Sequence, residues 1–143
     1  MSFLIAIDPG IKKCGVLLVD SSKRKVIEGR VVKSRDVVSL LQVWIEQKSC
    51  KEIYLGNGTS SDQWEMVFSK FVKVQLIDER GTTLRARKRY WELWPPTKLQ
   101  RLIPLGLLIP PDDLDALAAL VMLEDYLHFK FIWEGPIDFK NEL

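Results

Sequence analysis

The chain has 143 residues, which is about one domain and is long enough to bury a core without disulfides or metals. Lysine and arginine total 21 against 19 aspartate and glutamate residues, so the net charge is only +2. This balance excludes a charge-dense disordered chain, and by itself it gives no argument for a nucleic-acid partner. We therefore expect one globular domain over residues 1–143.

Three residue types limit the chemistry and the compartment. Cys14 and Cys50 are the only cysteines, and their spacing argues against a disulfide framework or a cysteine zinc site. His128 is the only histidine, which argues against catalytic triads and multi-histidine metal sites. No basic leader precedes the first apolar run, and no stretch approaches the roughly 20 apolar residues of a membrane span. We expect a cytoplasmic protein with no membrane contact.

The first third of the chain predicts a three-stranded antiparallel meander followed by a helix. The predicted strands are Phe3–Ile7, Gly15–Val19 and Lys25–Val32, separated by turn-forming residues. Asp36 is expected to cap a helix whose apolar pattern fades at Lys48.

The rest of the chain alternates strands and helices. The predicted elements are a strand at Glu52–Gly56, a helix at Gln63–Phe71, a strand at Lys73–Ile77, a helix at Gly81–Trp94 and a final helix at Asp112–Phe129. The helix crossovers imply that the later strands run parallel. The sequence thus predicts an α/β fold, with a five-stranded mixed sheet of three antiparallel and then two parallel strands, flanked by helices.

Acidic residues stand at informative places in this plan. Asp8 ends the first strand, Glu79 follows the fifth, and Asp112 and Asp115 lie in the first turn of the last helix. Sites in open α/β sheets form outside the carboxyl ends of strands. Carboxylates that converge there need a cation, and hard oxygen ligands suit Mg²⁺ or Mn²⁺. Two such ions about 4 Å apart support phosphodiester hydrolysis.

Each of these residues also has a structural interpretation. Asp8 is followed by Pro9 and Gly10, so it can simply open a turn. Asp112 and Asp115 are spaced as an N-cap residue and its partner three positions later. No single motif decides between a site and a set of caps and turns.

Three segments, taken in order, resemble one nuclease superfamily. Residues 5–16, IAIDPGIKKCGV, resemble the opening strand pair of RNase H-like nucleases of the RuvC and YqgF type. Residues 78–86, DERGTTLRA, resemble a YqgF segment, and residues 112–119, DDLDALAA, resemble the closing helix of RuvC-like enzymes. The resemblance extends from about Phe3 to Leu127.

The resemblance implies an RNase H-like fold and a Mg²⁺- or Mn²⁺-dependent nuclease. By position, Asp8 matches the first aspartate of the family and would bridge two ions, while Glu79 and Asp115 would each hold one. Asp112 matches an extra RuvC aspartate and would be a further ligand or orient water. The RuvC glutamate after the fourth strand has no counterpart, because residues 55–58 read LGNG.

Positive charge is concentrated in one segment. Between Arg80 and Arg101 seven basic residues are opposed only by Glu92, and Tyr90, Trp91 and Trp94 lie among them. Basic side chains neutralise phosphates and aromatic rings stack on bases. The expected nucleic-acid contacts are Lys12, Lys13, Arg80, Arg85, Arg87, Lys88, Arg89 and Trp91. Alternatively, the segment is a solvated basic helix whose aromatic residues pack into the core, Tyr90 among them.

Three functions compete at this point. RuvC-like members resolve branched DNA junctions, usually as homodimers, and this resemblance describes the chain best. YqgF-like members are tied to processing of ribosomal RNA precursor ends, which the position of Glu79 favours. The third alternative is a catalytically silent scaffold that binds nucleic acid or protein.

Overall fold

The computed structural model describes residues 2–58, 60–104, 107, 110 and 114–133. The strands are β1 (Phe3–Asp8), β2 (Lys13–Asp20), β3 (Lys25–Lys33), β4 (Glu52–Gly56) and β5 (Lys73–Ile77). The α-helices in these ranges are α1 (Val37–Lys48), α2 (Ser61–Phe68), α3 (Thr82–Leu93) and α4 (Asp115–Leu127). Asp112 and Asp113 lie outside the described residues.

All five strands form one sheet in the order β3-β2-β1-β4-β5. β2 runs antiparallel to both β1 and β3, whereas β1, β4 and β5 are parallel. This confirms the predicted α/β fold, an RNase H-like mixed sheet of three antiparallel and two parallel strands flanked by helices. The ends of β1, β3, β4 and β5 and the start of β2 all lie along one edge, which we call the carboxyl edge.

Side chains alternate between two cores on opposite faces of the sheet. Ile5 and Ile7 of β1 belong to a core with residues of α1 and α2. Ala6, between them, belongs to the other core, which contains residues of α3 and α4. The next position on that second face is Asp8, so its side chain points to the side that α4 covers.

Helix α4 is buried around most of its circumference. Every residue from Ala116 to Glu124 is buried, which explains its almost continuous run of apolar residues. α4 packs against α3 and against the first three strands. The position of α4 is therefore determined by contacts around most of its surface, with the strands on one side and α3 on another, and not by a single apolar face.

The sequence places both later strands and the bounds of α1 correctly but misplaces both ends of α2. Asp36 precedes α1 without making a side-chain capping bond, because a 3₁₀ turn over Ser34–Asp36 leads straight into the helix. α2 begins two residues before the predicted Gln63 and ends at Phe68 instead of Phe71. The Phe68 carbonyl accepts bonds from the amides of Phe71 and Val72, which turns the chain toward β5.

Helices α3 and α4 are shorter than predicted. α3 begins after Gly81, which has a positive φ of 73°, and it ends at Leu93. α4 ends at Leu127, because His128 adopts a left-handed conformation with φ 63°. Within the ranges given above, no helix is both long and apolar enough to cross a membrane.

The buried position of α4 makes a stability prediction. Leu117 is fully buried, whereas Leu84 on α3 is 71% exposed. We expect Leu117→Ala to lower the free energy of unfolding by about 2–5 kcal/mol, because it leaves a cavity between α4 and the sheet. Leu84→Ala, the matched control, should change it by about 0.5 kcal/mol or less. Equal losses in urea unfolding would contradict this packing.

Candidate active site

Asp8 lies on the carboxyl edge between two glycines. It is the last residue of β1 and pairs with Gly15 of β2. On its other side, Ile7 pairs with Leu55 of β4, which puts Gly56 next to Asp8. Neither neighbour has a side chain, so the carboxylate of Asp8 stands in a gap along this edge.

Asp115 starts helix α4 beside this gap. A Cβ atom on Gly15 would overlap the main-chain carbonyl of Asp115, so the helix begins in direct contact with β2. Leu114 is the N-cap residue and makes no side-chain capping bond. The described part of the helix therefore begins at Asp115, and the interpretation in which Asp112 caps it falls outside the described residues. The position of Asp112 itself is not described.

Glu79 reaches the same edge from β5. It follows the end of β5 by two residues, and its amide donates a hydrogen bond to Asn57 Oδ1 at 3.3 Å. Its carboxylate lies over two glycines of the β4 loop. A Cβ on Gly56 would lie 2.5 Å from Glu79 Oε2, and one on Gly58 would overlap Oε1. Glycine at these two positions is what gives the carboxylate room.

One oxygen of Glu79 has no partner in the described parts of the chain. Oε2 is buried and accepts no hydrogen bond there. A buried carboxylate oxygen without a donor costs more than an ordinary lost hydrogen bond. A cation bound at this position would remove that cost.

The charges of Asp8 and Asp115 both influence the pKa of Cys14, so both residues lie near this thiol. Burial raises the pKa of the Cys14 thiol, hydrogen bonds with Gly10 and Ser34 lower it, and the charges of Asp8 and Asp115 raise it further. Lys13 Nζ lies 4.0 Å from Asp115 Oδ2. The lysine thus offsets part of the negative charge on this edge.

The donor set fits a hard divalent cation, with one restriction. Across the described ranges, no three Asp, Glu, His or Cys side chains are grouped closely enough to hold one ion. An arrangement of two ions that share Asp8 needs only two protein carboxylates for each. The glycines around Asp8 and the unpartnered oxygen of Glu79 fit that arrangement.

The turn after Asp8 is held by side chains that the sequence did not single out. The Gly10 carbonyl accepts bonds from Ser34 Oγ at 3.2 Å and from Trp64 Nε1 at 3.4 Å. Cys14 Sγ also contacts Gly10, accepting a bond from its amide at 3.4 Å. Ser34 and Trp64 come from elements distant in sequence, and together with Cys14 they fix the backbone that carries Asp8.

The exposed arginines of the predicted basic segment are partly engaged by carboxylates. Arg80 donates to both oxygens of Asp78, at 3.2 and 3.3 Å from Nε. Arg85 forms an ion pair with Asp125 of α4. Arg80 remains 90% exposed at its side chain, and Arg85 44%. Both therefore keep surface for a phosphate.

Arg89 and Trp91 do not occupy the predicted surface positions. The Arg89 side chain is only 11% exposed and makes two 3.0 Å bonds to Glu124. Arg89 also donates to the Phe131 carbonyl, and Glu124 accepts from the Phe131 amide at 2.8 Å. Trp91 is 7% exposed and packs in the core against Tyr90. The burial of Arg89 and Trp91 argues against nucleic-acid contacts at both positions. Tyr90 is buried, as predicted.

The remaining predicted contacts are accessible to different degrees. Lys12, Lys13 and Lys88 are exposed, and Arg87 is half-buried. Lys12 and Lys13 lie in the β1–β2 turn beside Asp8, whereas Arg87 and Lys88 lie on α3.

Comparison with known proteins adds no family assignment. No family model and no curated protein matches the chain.

The Arg89–Glu124 pair makes a second prediction. Arg89→Met leaves the Glu124 carboxylate buried without its cation, so we expect a loss of about 3–5 kcal/mol in unfolding free energy. Arg80→Met is the control, because the Arg80–Asp78 pair is exposed and such pairs contribute little to stability. Thermal unfolding of both variants measures this, and an unchanged midpoint for Arg89→Met would show that the pair is not structural.

Proposed function

We propose that this protein is a divalent-metal-dependent endonuclease that hydrolyses phosphodiester bonds in structured nucleic acid. The observation that carries the proposal is that Asp8, Asp115 and Glu79 all lie along one glycine-lined stretch of the carboxyl edge. Three elements far apart in sequence supply these carboxylates. The order of the RuvC- and YqgF-like motifs supports the same function.

The carboxylates have distinct roles in this proposal. Asp8, between the other two, would be a ligand to both ions, while Glu79 and Asp115 would each hold one. Bound Mg²⁺ or Mn²⁺ supplies an activated water and stabilises the leaving oxygen. Asp112 keeps its predicted role as a further ligand or water-orienting group.

Other residues of the chain prepare the edge for a phosphate. Because Gly15 and Gly56 have no side chains, the Asp115 backbone and the Glu79 carboxylate can lie beside Asp8. Ser34 and Trp64 hold the Gly10 carbonyl and so restrict movement of the turn after Asp8. Lys12 and Lys13 bring positive charge to the same turn, where a phosphate approaching the carboxylates needs it.

The leading substrate is a branched DNA junction, and structured RNA is the second candidate. The RNA candidate is supported by the glycines at the end of β4. A glutamate at Gly56 would collide with the carboxylate of Glu79, since even a Cβ lies 2.5 Å from it. The carboxylate beside Gly56 is therefore that of Glu79, which follows β5, as in the YqgF-like segment.

The compartment and the oligomeric state belong to the same proposal. Cys14 and Cys50 are both buried and free, which is typical of proteins in a reducing compartment such as the cytoplasm. A homodimer would place two such edges on the two strands of a junction.

Removal of one charge tests the proposal. Asp8→Asn keeps the shape of the side chain but weakens its binding of a cation, so we expect cleavage of junction DNA or hairpin RNA in Mg²⁺ or Mn²⁺ to fall at least about 100-fold. Glu79→Gln should also lower the rate. Chelator should abolish cleavage by the unaltered protein.

Glu46→Gln is the matched control, because Glu46 is an exposed residue near the end of α1, where the chain leads into the start of β4 at the opposite edge of the sheet. It should leave cleavage and thermal unfolding unchanged. Full activity of Asp8→Asn would reject Asp8 as the shared ligand. Absence of cleavage by the unaltered protein on both substrates would favour the silent scaffold.

A further inference from the structure

A basic cleft lies on the carboxyl edge at the junction of β3 with α1. Its lining residues are Ile11, Lys12, Lys33, Ser34 and Arg35, and its volume is about 370 Å³. We call it the β3 cleft. None of the sequence motifs points to Lys33 or Arg35, because the two are separated from Lys12 by the whole of β2 and β3.

The β3 cleft is a shallow, open depression whose walls are mostly apolar, and the cations that surround it are not matched by an equal number of carboxylates. Three of its five residues are cations, and all three are exposed. Within the described ranges, neither Lys12 nor Lys33 forms an ion pair. Arg35 has a long contact of 3.9 Å from Nε to Asp36 Oδ2, and its side chain is 75% exposed. Such a cleft attracts an anion.

The arrangement of the cleft is fixed by the backbone. The amide of Ser34 donates to the Lys12 carbonyl at 2.9 Å, which joins the two sides of the cleft. Lys33 also pairs with Lys13 across the β2–β3 ladder. Ser34 further donates to the Gly10 carbonyl, in the turn that carries Asp8. The cleft and the candidate site therefore share one rigid corner.

The distance between the cleft and Asp8 suits neighbouring phosphates of one strand. β3 is two strands away from β1 in the sheet, which is about 10 Å. Lys13, which lies between them, contacts Asp115. A nucleic-acid strand that runs along the carboxyl edge would place one phosphate at Asp8 and another, one or two nucleotides away, in the cleft.

We propose that the β3 cleft binds a backbone phosphate of the nucleic-acid substrate through Lys12, Lys33 and Arg35. The inference rests on the proposed nuclease function. It adds the path of the nucleic-acid strand, which runs along the carboxyl edge from Asp8 toward β3. Ile11 is 84% exposed at the rim, and its apolar surface contacts the sugar or base beside that phosphate. The basic residues of α3 then play the smaller part, since carboxylates of the chain already engage several of them.

Binding can be measured separately from cleavage. The unaltered protein and Lys33→Gln/Arg35→Gln are titrated against labelled four-way junction DNA and hairpin RNA in chelator, at several salt concentrations. The matched control is Lys25→Gln/Lys51→Gln, which removes the same charge from two exposed residues at the opposite edge of the sheet. Thermal unfolding checks that both double variants are folded.

We expect the cleft variant to bind more weakly and to reduce the slope of log affinity against log salt by about 0.9 on duplex arms, because the contact with one phosphate is lost. The control should keep the slope of the unaltered protein. Equal slopes for the two variants would overturn the proposal that the β3 cleft binds a backbone phosphate. Failure of the unaltered protein to bind either probe would also overturn it. Inorganic phosphate at constant ionic strength should not displace the probe; displacement would show a site for free phosphate and would also overturn it.

If the cleft variant shows the expected loss of binding but the unaltered protein cleaves nothing when metal is restored, phosphate binding by the cleft is supported and the nuclease function is rejected. If the protein cleaves but the two variants bind equally, the nuclease function is supported and phosphate binding by the cleft is rejected.

Discussion

The seating of α4 against the glycine positions of the sheet determines where the carboxylates lie. At Gly15 the helix backbone comes so close that a single added carbon would overlap the Asp115 carbonyl, and at Gly56 the Met122 sulfur would be 2.8 Å from that carbon. The helix can lie this low only because neither strand carries a side chain there. Asp115 is thereby held beside Asp8, and burial of α4 along most of its length keeps it in that place.

The same helix also redistributes the positive charge. Its residues Glu124 and Asp125 form ion pairs with Arg89 and Arg85 of α3, so two arginines of the basic segment are engaged within the protein. A second group of exposed cations, Lys12, Lys33 and Arg35, lies at the β3–α1 corner. The net charge of +2 therefore does not argue against a nucleic-acid partner, because the carboxylates near β1 and the cations near β3 lie two strands apart on the same edge.

The sequence predicted the architecture and the edge because both depend on local patterns. β4 and β5 lie within the predicted bounds, and Asp8 and Glu79 stand at strand ends as expected. What the sequence could not show depends on packing between distant elements. The burial of Arg89 requires a partner 35 residues later, and the β3 cleft requires a hairpin that brings Lys33 to Lys12. The α2 bounds were wrong because Phe71 continues the apolar spacing of the helix after its backbone has already turned.

The proposed function requires that Asp8, Glu79 and Asp115 form the binding site for divalent ions. A crystal of the protein soaked in Mn²⁺, with anomalous differences recorded at the manganese absorption edge, tests this directly. We expect a peak in contact with the Asp8 carboxylate and with at least one of Glu79 and Asp115. Crystals that take up Mn²⁺ only at other places, or leave the Asp8 edge without a peak, would contradict it.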